Sequence, residues 1–378
     1  MNNKVSVISC NDYDRENIKE ALEKLLEPFQ GLSWINAGMK IAVKVNLVGA
    51  HKPEDAATPH PAVVCALTEM LVERGAEVVL GDSPGGLFSK AYLSNIYKAT
   101  KMTDAVLCGA SLNDDFSVID VTNPNALQLK NFRITKYLTD ADAVINLCKI
   151  KTHGLMAYTG ACKNMYGAIP GMLKSEYHYR YSTHQSFADM LIDLCEYVRP
   201  QISIADAVVA MEGNGPSNGT PRKLGALIAS ENPHALDMAA CHIIGLDFEK
   251  APTVAAAIKR SLIPESIDKL DISGDIDSFK VDDFRLIKTR EVKKWGTTNK
   301  FLSYMLERIF ASYPKINHRK CIRCERCMRF CPAMAISIVN NKLRIDRKKC
   351  ISCYCCQEFC PKGAVEVHRP ITARILNS

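Results

Sequence analysis

Eight cysteines near the C-terminus constrain this chain more than anything else in it. They run Cys321-x2-Cys324-x2-Cys327-x3-Cys331-Pro332 and, twenty-nine residues later, Cys350-x2-Cys353-x2-Cys356-x3-Cys360-Pro361. Each run offers three thiolates at three-residue steps, which wrap three corners of one iron–sulfur cube, while the fourth thiolate reaches the other cube. The spacing predicts two [4Fe–4S] clusters. One would use Cys321, Cys324, Cys327 and Cys360, the other Cys350, Cys353, Cys356 and Cys331. A chain so equipped handles electrons.

Zinc and disulfides are the alternatives. Structural zinc takes four ligands per site, commonly from two separated C-x2-C pairs, and does not call for three thiolates at strict three-residue steps. Disulfides belong to oxidising compartments, and nothing at the N-terminus resembles a secretory signal. Cys355 is a ninth cysteine, out of register and expected to be a spare thiol. The two runs also read as one duplicated unit. Over eighteen positions, CIRCERCMRFCPAMAISI and CISCYCCQEFCPKGAVEV share eight identities. The small apolar residues after each Cys-Pro would shield the clusters from water.

The 378 residues exceed one such module and suggest two or three domains. Apolar content of 47% and charged content of 24% suit an ordinary globular protein. No apolar run reaches membrane-spanning length. The other seven cysteines are scattered among apolar neighbours, and with the clusters they fit a reducing cytoplasm in an anaerobe. From Lys315 onward there are fourteen Lys/Arg against four Asp/Glu, leaving 34 basic and 37 acidic residues for the rest. Two clusters at about −2 each would lower the module's charge to about +6. A basic module could dock an acidic electron carrier of ferredoxin or flavodoxin type, or attract an anionic substrate. A solvated basic surface is the plainer alternative. No nucleic-acid-binding motif and no membrane partner is read.

Upstream, short apolar runs alternate with amphipathic stretches. Val5–Ser9, Lys40–Val45, Ala76–Leu80, Ala143–Leu147, Ile202–Ala205 and Leu224–Ala229 read as strands. Arg15–Leu26, Pro61–Arg74, Gln185–Tyr197 and Pro233–Ile244 read as helices. This rhythm predicts an α/β fold with a mostly parallel sheet and helices on both faces, followed by a small α+β ferredoxin-like two-cluster domain. The expected divisions are 1–298, a connecting helix within 299–314, and 315–378.

Ligands of open α/β sheets bind beyond the carboxyl ends of the strands. The predicted strands are followed by Lys44-Val45-Asn46, by Gly81-Asp82-Ser83-Pro84-Gly85-Gly86, by Lys149-Ile150-Lys151-Thr152-His153-Gly154, and by Asp206. The glycine-rich loop is either an anion cradle or a tight turn capped by Asp82. Lys149 and Lys151, two apart in an extended backbone, should project the same way. With Lys163 they could hold an anion, with His153 as proton donor; the alternative is a surface loop of solvated lysines. His60, the turn-rich stretch Glu212–Pro221 and Cys162 are weaker candidates, each with an ordinary structural explanation.

The segments KVNLVGAHKPEDAATPHP, GDSPGG, KIKTHGLMAYTGACKNMYG and EGNGPSNGTP, in that order, resemble the domain-of-unknown-function 362 family over roughly residues 1–300. Members of that family are often fused to a C-terminal bacterial-type two-[4Fe–4S] ferredoxin. The resemblance implies a cytoplasmic iron–sulfur protein and supplies no catalytic residue. The expected activity is a redox reaction passing single electrons to a small anionic substrate at the sheet edge. Lys44, Asn46, Ser83, Lys149, Lys151 and Asn164 would bind the substrate, and His153, Asp82 and Lys163 would act in catalysis. A flavin would pair electrons, although no flavin motif is present. A non-enzymatic electron carrier whose large domain docks a partner, and a binding protein stapled by its clusters, are the other classes.

Overall fold

The computed structural model describes residues 3–287 and 311–368. The apolar runs form β1 (Lys4–Ser9), β2 (Lys40–Lys44), β3 (Glu77–Gly81), β4 (Ser111–Leu112), β5 (Val118–Thr122), β6 (Asn131–Thr135), β7 (Ala143–His153), β8 (Ala157–Thr159), β9 (Ile202–Glu212), β10 (Thr220–Ser230) and β11 (Asp271–Ser273). The main sheet runs β11-β1-β10-β9-β7-β2-β3-β4, with β8 folded back on β7. The contacts β1–β11, β9–β7, β7–β2, β2–β3 and β3–β4 are parallel, and β10 runs against both its neighbours. β5 and β6 pair as a separate antiparallel hairpin.

Both faces of this sheet are covered, as the continuous apolar runs require. In β7, Val144 and Cys148 face one core while Ile145 and Leu147 face the other. The first core is closed by helices His184–Val198 and Pro233–Ile243, the second by Arg15–Leu26, Pro61–Val72 and Lys90–Ala99. Helix Arg15–Leu26 starts where the Asp14 carboxylate accepts the amides of Glu16 and Asn17, and it buries Ile18, Ala21, Leu22, Leu25 and Leu26. That cap and that spacing are what specify a helix on a core.

The predicted helices and strands recur within a few residues, with one informative difference. β7, β9 and β10 extend further than their apolar runs, and β7 stays buried through Lys149, Lys151 and His153. Polar residues there continue a strand because other side chains, not water, satisfy them.

The C-terminal module is a pseudo-symmetric pair. β12 (Tyr313–Ile316) pairs with β15 (Val365–His368), and β13 (Ile336–Val339) with β14 (Lys342–Ile345). Helices Arg326–Arg329 and Cys355–Glu358 occupy equivalent places in the two repeats. Left-handed backbone occurs at Arg323 and Glu325 and again at their counterparts Ser352 and Tyr354. Each Cys-x2-Cys-x2-Cys stretch therefore coils the same way. β12 begins at Tyr313, two residues inside the expected 299–314 connection. Residues 299–310 of the expected connecting helix lie outside the described residues.

Candidate functional site

The carboxyl ends of β2, β3 and β7 do not face open solvent. The module's helix Cys355–Glu358 and the following Phe359 lie over them, enclosing a crevice of about 80 Å³. Its large-domain wall includes Asn46, Asp82, Ser83, Lys151, Lys163, Asn164, Tyr166, Lys174 and His178, and its module wall Cys355, Glu358 and Phe359. The glycines of the sheet edge make this approach feasible. A Cβ on Gly85 would meet Phe359, and one on Gly154 would meet Gln357 and Tyr354.

Under the crevice floor is a buried polar network. Lys44 Nζ lies 2.7 Å from Asp82 Oδ1, donates to the Val45 carbonyl at 2.7 Å and reaches Asn164 Oδ1 at 3.3 Å. Asp82 Oδ2 accepts the Leu47 amide at 2.6 Å, and Asn164 donates to Asn146 Oδ1 at 2.7 Å. Burial pushes the Lys44 amine down, and Asp82 opposes the shift. A side chain on Gly167 would strike Asp82 and Lys44, so glycine is required at this close approach. Lys44 supports the floor without lining the crevice, whereas Asp82 and Asn164 do both.

Lys149 and Lys151 do not act together. The β7–β9 register shifts between them, and their amines end in different networks. Lys149 Nζ bonds Asp206 Oδ2 at 2.8 Å and the Tyr13 hydroxyl at 3.0 Å, away from the crevice. His60 joins this second network, stacking on Tyr13 at 3.7 Å and giving its amide to Asp206. The expectation that Lys149 holds substrate is therefore corrected: a buried carboxylate already pairs with it. Lys151 does line the crevice, donating to Asn46 Oδ1 at 2.5 Å and the Ala57 carbonyl at 2.7 Å. Burial, reinforced by the charge of Lys163, holds its amine well below the ordinary lysine range.

His153 is likewise redirected. Its Nδ1 accepts the amides of Leu155 at 3.0 Å and Met156 at 3.2 Å, so the ring proton belongs on Nε2, 2.8 Å from Glu358 Oε1. Burial first, then the charge of Lys163, holds the imidazole down at about 4. Burial favours the protonated Glu358, yet the charges around it, Lys163 first, keep the carboxyl well below the usual range. His153 thus fixes the module to the sheet edge and does not line the crevice as a proton donor.

In the loop Gly81–Gly86 the serine is already engaged. The Ser83 amide is engaged by the Gly167 carbonyl at 3.1 Å, and the Ser83 hydroxyl accepts the Gly171 amide at 2.8 Å. Cys162 is fully buried and does not reach the crevice. The turn-rich stretch Glu212–Pro221 has a different task from a lid. Ser217 Oγ donates to the Glu358 carbonyl at 3.1 Å, Asn218 Nδ2 to the Cys360 carbonyl at 3.0 Å, and Asn214 Oδ1 accepts from Gln357. It cradles the module.

The cysteines of the two runs crowd one another. Burial and the neighbouring thiols of Cys360, Cys321 and Cys324 push the Cys327 thiol up to about 11. Burial, with Cys353 and Cys331 adding to it, raises the Cys350 thiol. Crowded cysteines of this kind are a donor set that iron would stabilise, since the metal takes them as thiolates. In each repeat the fourth Sγ accepts the amide four residues on, Ala335 at 3.3 Å and Ala364 at 3.1 Å. Amide hydrogen bonds to ligating sulfur tune cluster potentials. The residues present fit the clusters that the spacing implies.

Lys174, Ser175, Tyr166 and His178 also line the crevice and escape the strand-end reasoning. They sit in or beside helix Leu173–Arg180, which carries no motif.

Residues 41–242 match the family described as Domain of unknown function (DUF362), and residues 313–361 match the 4Fe-4S dicluster domain. A thylakoid-associated protein of Synechocystis sp. is 30% identical over 271 residues, covering 70% of this chain and 81% of that protein. A Thermotoga maritima protein of known structure aligns with a TM-score of 0.39 at 15% identity, over 62% of this chain and 59% of its own. The lactate racemase apoprotein of Thermoanaerobacterium thermosaccharolyticum aligns with a TM-score of 0.39 at 10% identity, over 62% and 56%. The chain spans less than two thirds of either structure. It belongs to the DUF362 family and carries an iron–sulfur domain of the electron-transfer type.

Proposed function

We propose that the protein is an iron–sulfur oxidoreductase in which two [4Fe–4S] clusters pass single electrons from a small acidic carrier protein to a small anionic substrate in the crevice. One observation carries this: two copies of the same cysteine unit sit in different surroundings. In the first copy Ile322, Arg323, Cys324 and Arg326 are exposed, whereas their counterparts Ile351, Ser352 and Cys353 are half-buried and Cys355 is buried and lines the crevice. One end suits a docking carrier and the other a bound substrate. Ile322 at 56% and Met334 at 82% exposure, with exposed Arg323, Arg326 and Arg329 in the same repeat, suit an acidic partner.

The clusters, when bound, supply electrons one at a time; two carriers are each oxidised by one electron while the substrate gains two electrons and two protons. The chain's own residues do the rest. Lys163, Lys151 and Asn164 orient the anion, Lys163 holds a transferable proton at Nζ, and Phe359 and Tyr166 help exclude water. The crevice falls short of the roughly 300 Å³ that a cofactor pocket usually needs, so we place no flavin in it. Reduced thiols and clusters suit the cytoplasm; among the described residues no helix is long and apolar enough to cross a membrane.

The test removes one set at a time. Anaerobic wild-type protein should hold about eight irons and eight sulfides per chain. Cys324→Ser should lose the exposed set's signal and slow reduction by a reduced acidic ferredoxin about tenfold or more. Cys353→Ser should lose the other signal and leave that reduction intact. Zinc in place of iron, or equal reduction rates in wild type and Cys324→Ser, would refute the assignment.

A further inference from the structure

Helix Leu173–Arg180 brings two groups to the inner part of the crevice that the redox scheme above leaves unused. His178 is almost fully buried, its ring stacked on Phe187 at 4.3 Å and edge-on to Tyr166 at 5.6 Å. Its Nδ1 has no hydrogen-bond partner among the described residues. Among the described residues Lys174 Nζ donates to the Ser83 hydroxyl at 3.3 Å and to the Ile169 carbonyl, both neutral. Lys163 and Lys174 place their amines 5.8 and 5.9 Å from the Tyr166 ring centre. Of the two carboxylates of the crevice wall, Asp82 pairs with Lys44, while Glu358, bonded to His153, also answers the charge of Lys163. Three lysines, Lys151, Lys163 and Lys174, line the crevice against that one remaining carboxylate.

We infer that the inner crevice is a carboxylate subsite, in which Lys174, His178 and Ser83, together with Lys163, receive one carboxylate of a small organic acid. The inference rests on the crevice being the substrate site and names the class of substrate it takes. An ammonium and an imidazole N–H both form charge-assisted hydrogen bonds to a carboxylate. Burial pushes the Lys174 amine down to about 7, so a neighbouring anion would restore its proton. Phosphate fits less well. Its usual cradle is a nest of free backbone amides, and the Ser83 amide of the glycine-rich loop is already bound to Gly167. The cavity of about 80 Å³ also limits the acid to a few heavy atoms.

Calorimetric titration of the anaerobic, cluster-loaded protein at fixed ionic strength, using oxalate, its neutral analogue oxamide, and inorganic phosphate, tests this. Oxalate should bind at least about tenfold more tightly than either comparison, the worth of one charge-assisted hydrogen bond. Lys174→Met and His178→Phe should each weaken oxalate about tenfold or more while circular dichroism and cluster spectra stay unchanged. If Lys174→Met does not fold, His178→Phe and the three-probe comparison still decide the matter. Oxamide or phosphate binding as tightly as oxalate, or variants that bind oxalate like wild type, would overturn the subsite. Those results, with carrier-dependent reduction intact, would leave the electron route standing; clusters that no carrier reduces would remove the route whatever oxalate does.

Discussion

Asp82→Ala should lower the stability of the α/β domain by about 3–5 kcal/mol at neutral pH, the usual cost of breaking a buried ion pair from one side. Lys44 would then keep only the Val45 carbonyl and Asn164 as acceptors in a fully buried position. Its amine is already pushed down by burial, with Asp82 as the chief opposing influence. Without Asp82 the folded-state value drops further below that of the unfolded chain. The unfolded state then binds more protons between the two values, so stability rises with pH. The defect should shrink as pH climbs towards the ordinary lysine range and deepen as it falls. Lys44→Met combined with Asp82→Leu removes both charges and should cost less than Asp82→Ala alone. Urea unfolding followed by circular dichroism, run as a double-mutant cycle at two pH values, checks sign and size. Equal loss at all pH values would show that the two groups are not coupled.

Gly154→Val should release the iron–sulfur module from the sheet edge without touching a ligand. A Cβ at 154 would meet Gln357 and stand 3.3 Å from Tyr354, and both residues are buried. Gln357 is bonded to Asn214, so it has little room to yield. Overpacking of this kind costs about 1–3 kcal/mol, comparable to the few hydrogen bonds from His153, Ser217 and Asn218 that secure the interface. Iron content should remain that of wild type while the radius of gyration from small-angle scattering increases. An unchanged radius would mean that the module tolerates the branch where it sits.

What sequence reveals here is local chemistry, and what it conceals is pairing over distance. The cysteine runs and the cap at Asp14 act within a few residues, so their spacing alone is informative. Asp206 and Lys149 are each legible as strand-end residues, yet only the β7–β9 pairing sets them opposite each other, and the register shift after Lys149 separates it from Lys151. Glu358 reads as one acidic residue in a basic module until the fold sets it against His153. Lys174 and His178 give no periodic signal because their helix buries polar groups on a cavity and not apolar ones on a core. The β5–β6 hairpin was the one legible element that escaped: its exposed and half-buried residues alternate as an edge ribbon should.

The central claim is that the crevice lies nearer the cysteine set containing Cys353 than the set containing Cys324, and EPR-monitored redox titration of wild type and Lys163→Met tests it most directly. Lys163 lines the crevice that Cys355 and Glu358 close. Removing its positive charge should make the added electron less welcome on the nearby cluster. One of the two midpoint potentials should fall, that of the set containing Cys353, while the set containing Cys324 keeps its value. Two potentials that stay fixed, or that fall together, would contradict the placement of the second cluster beside the substrate.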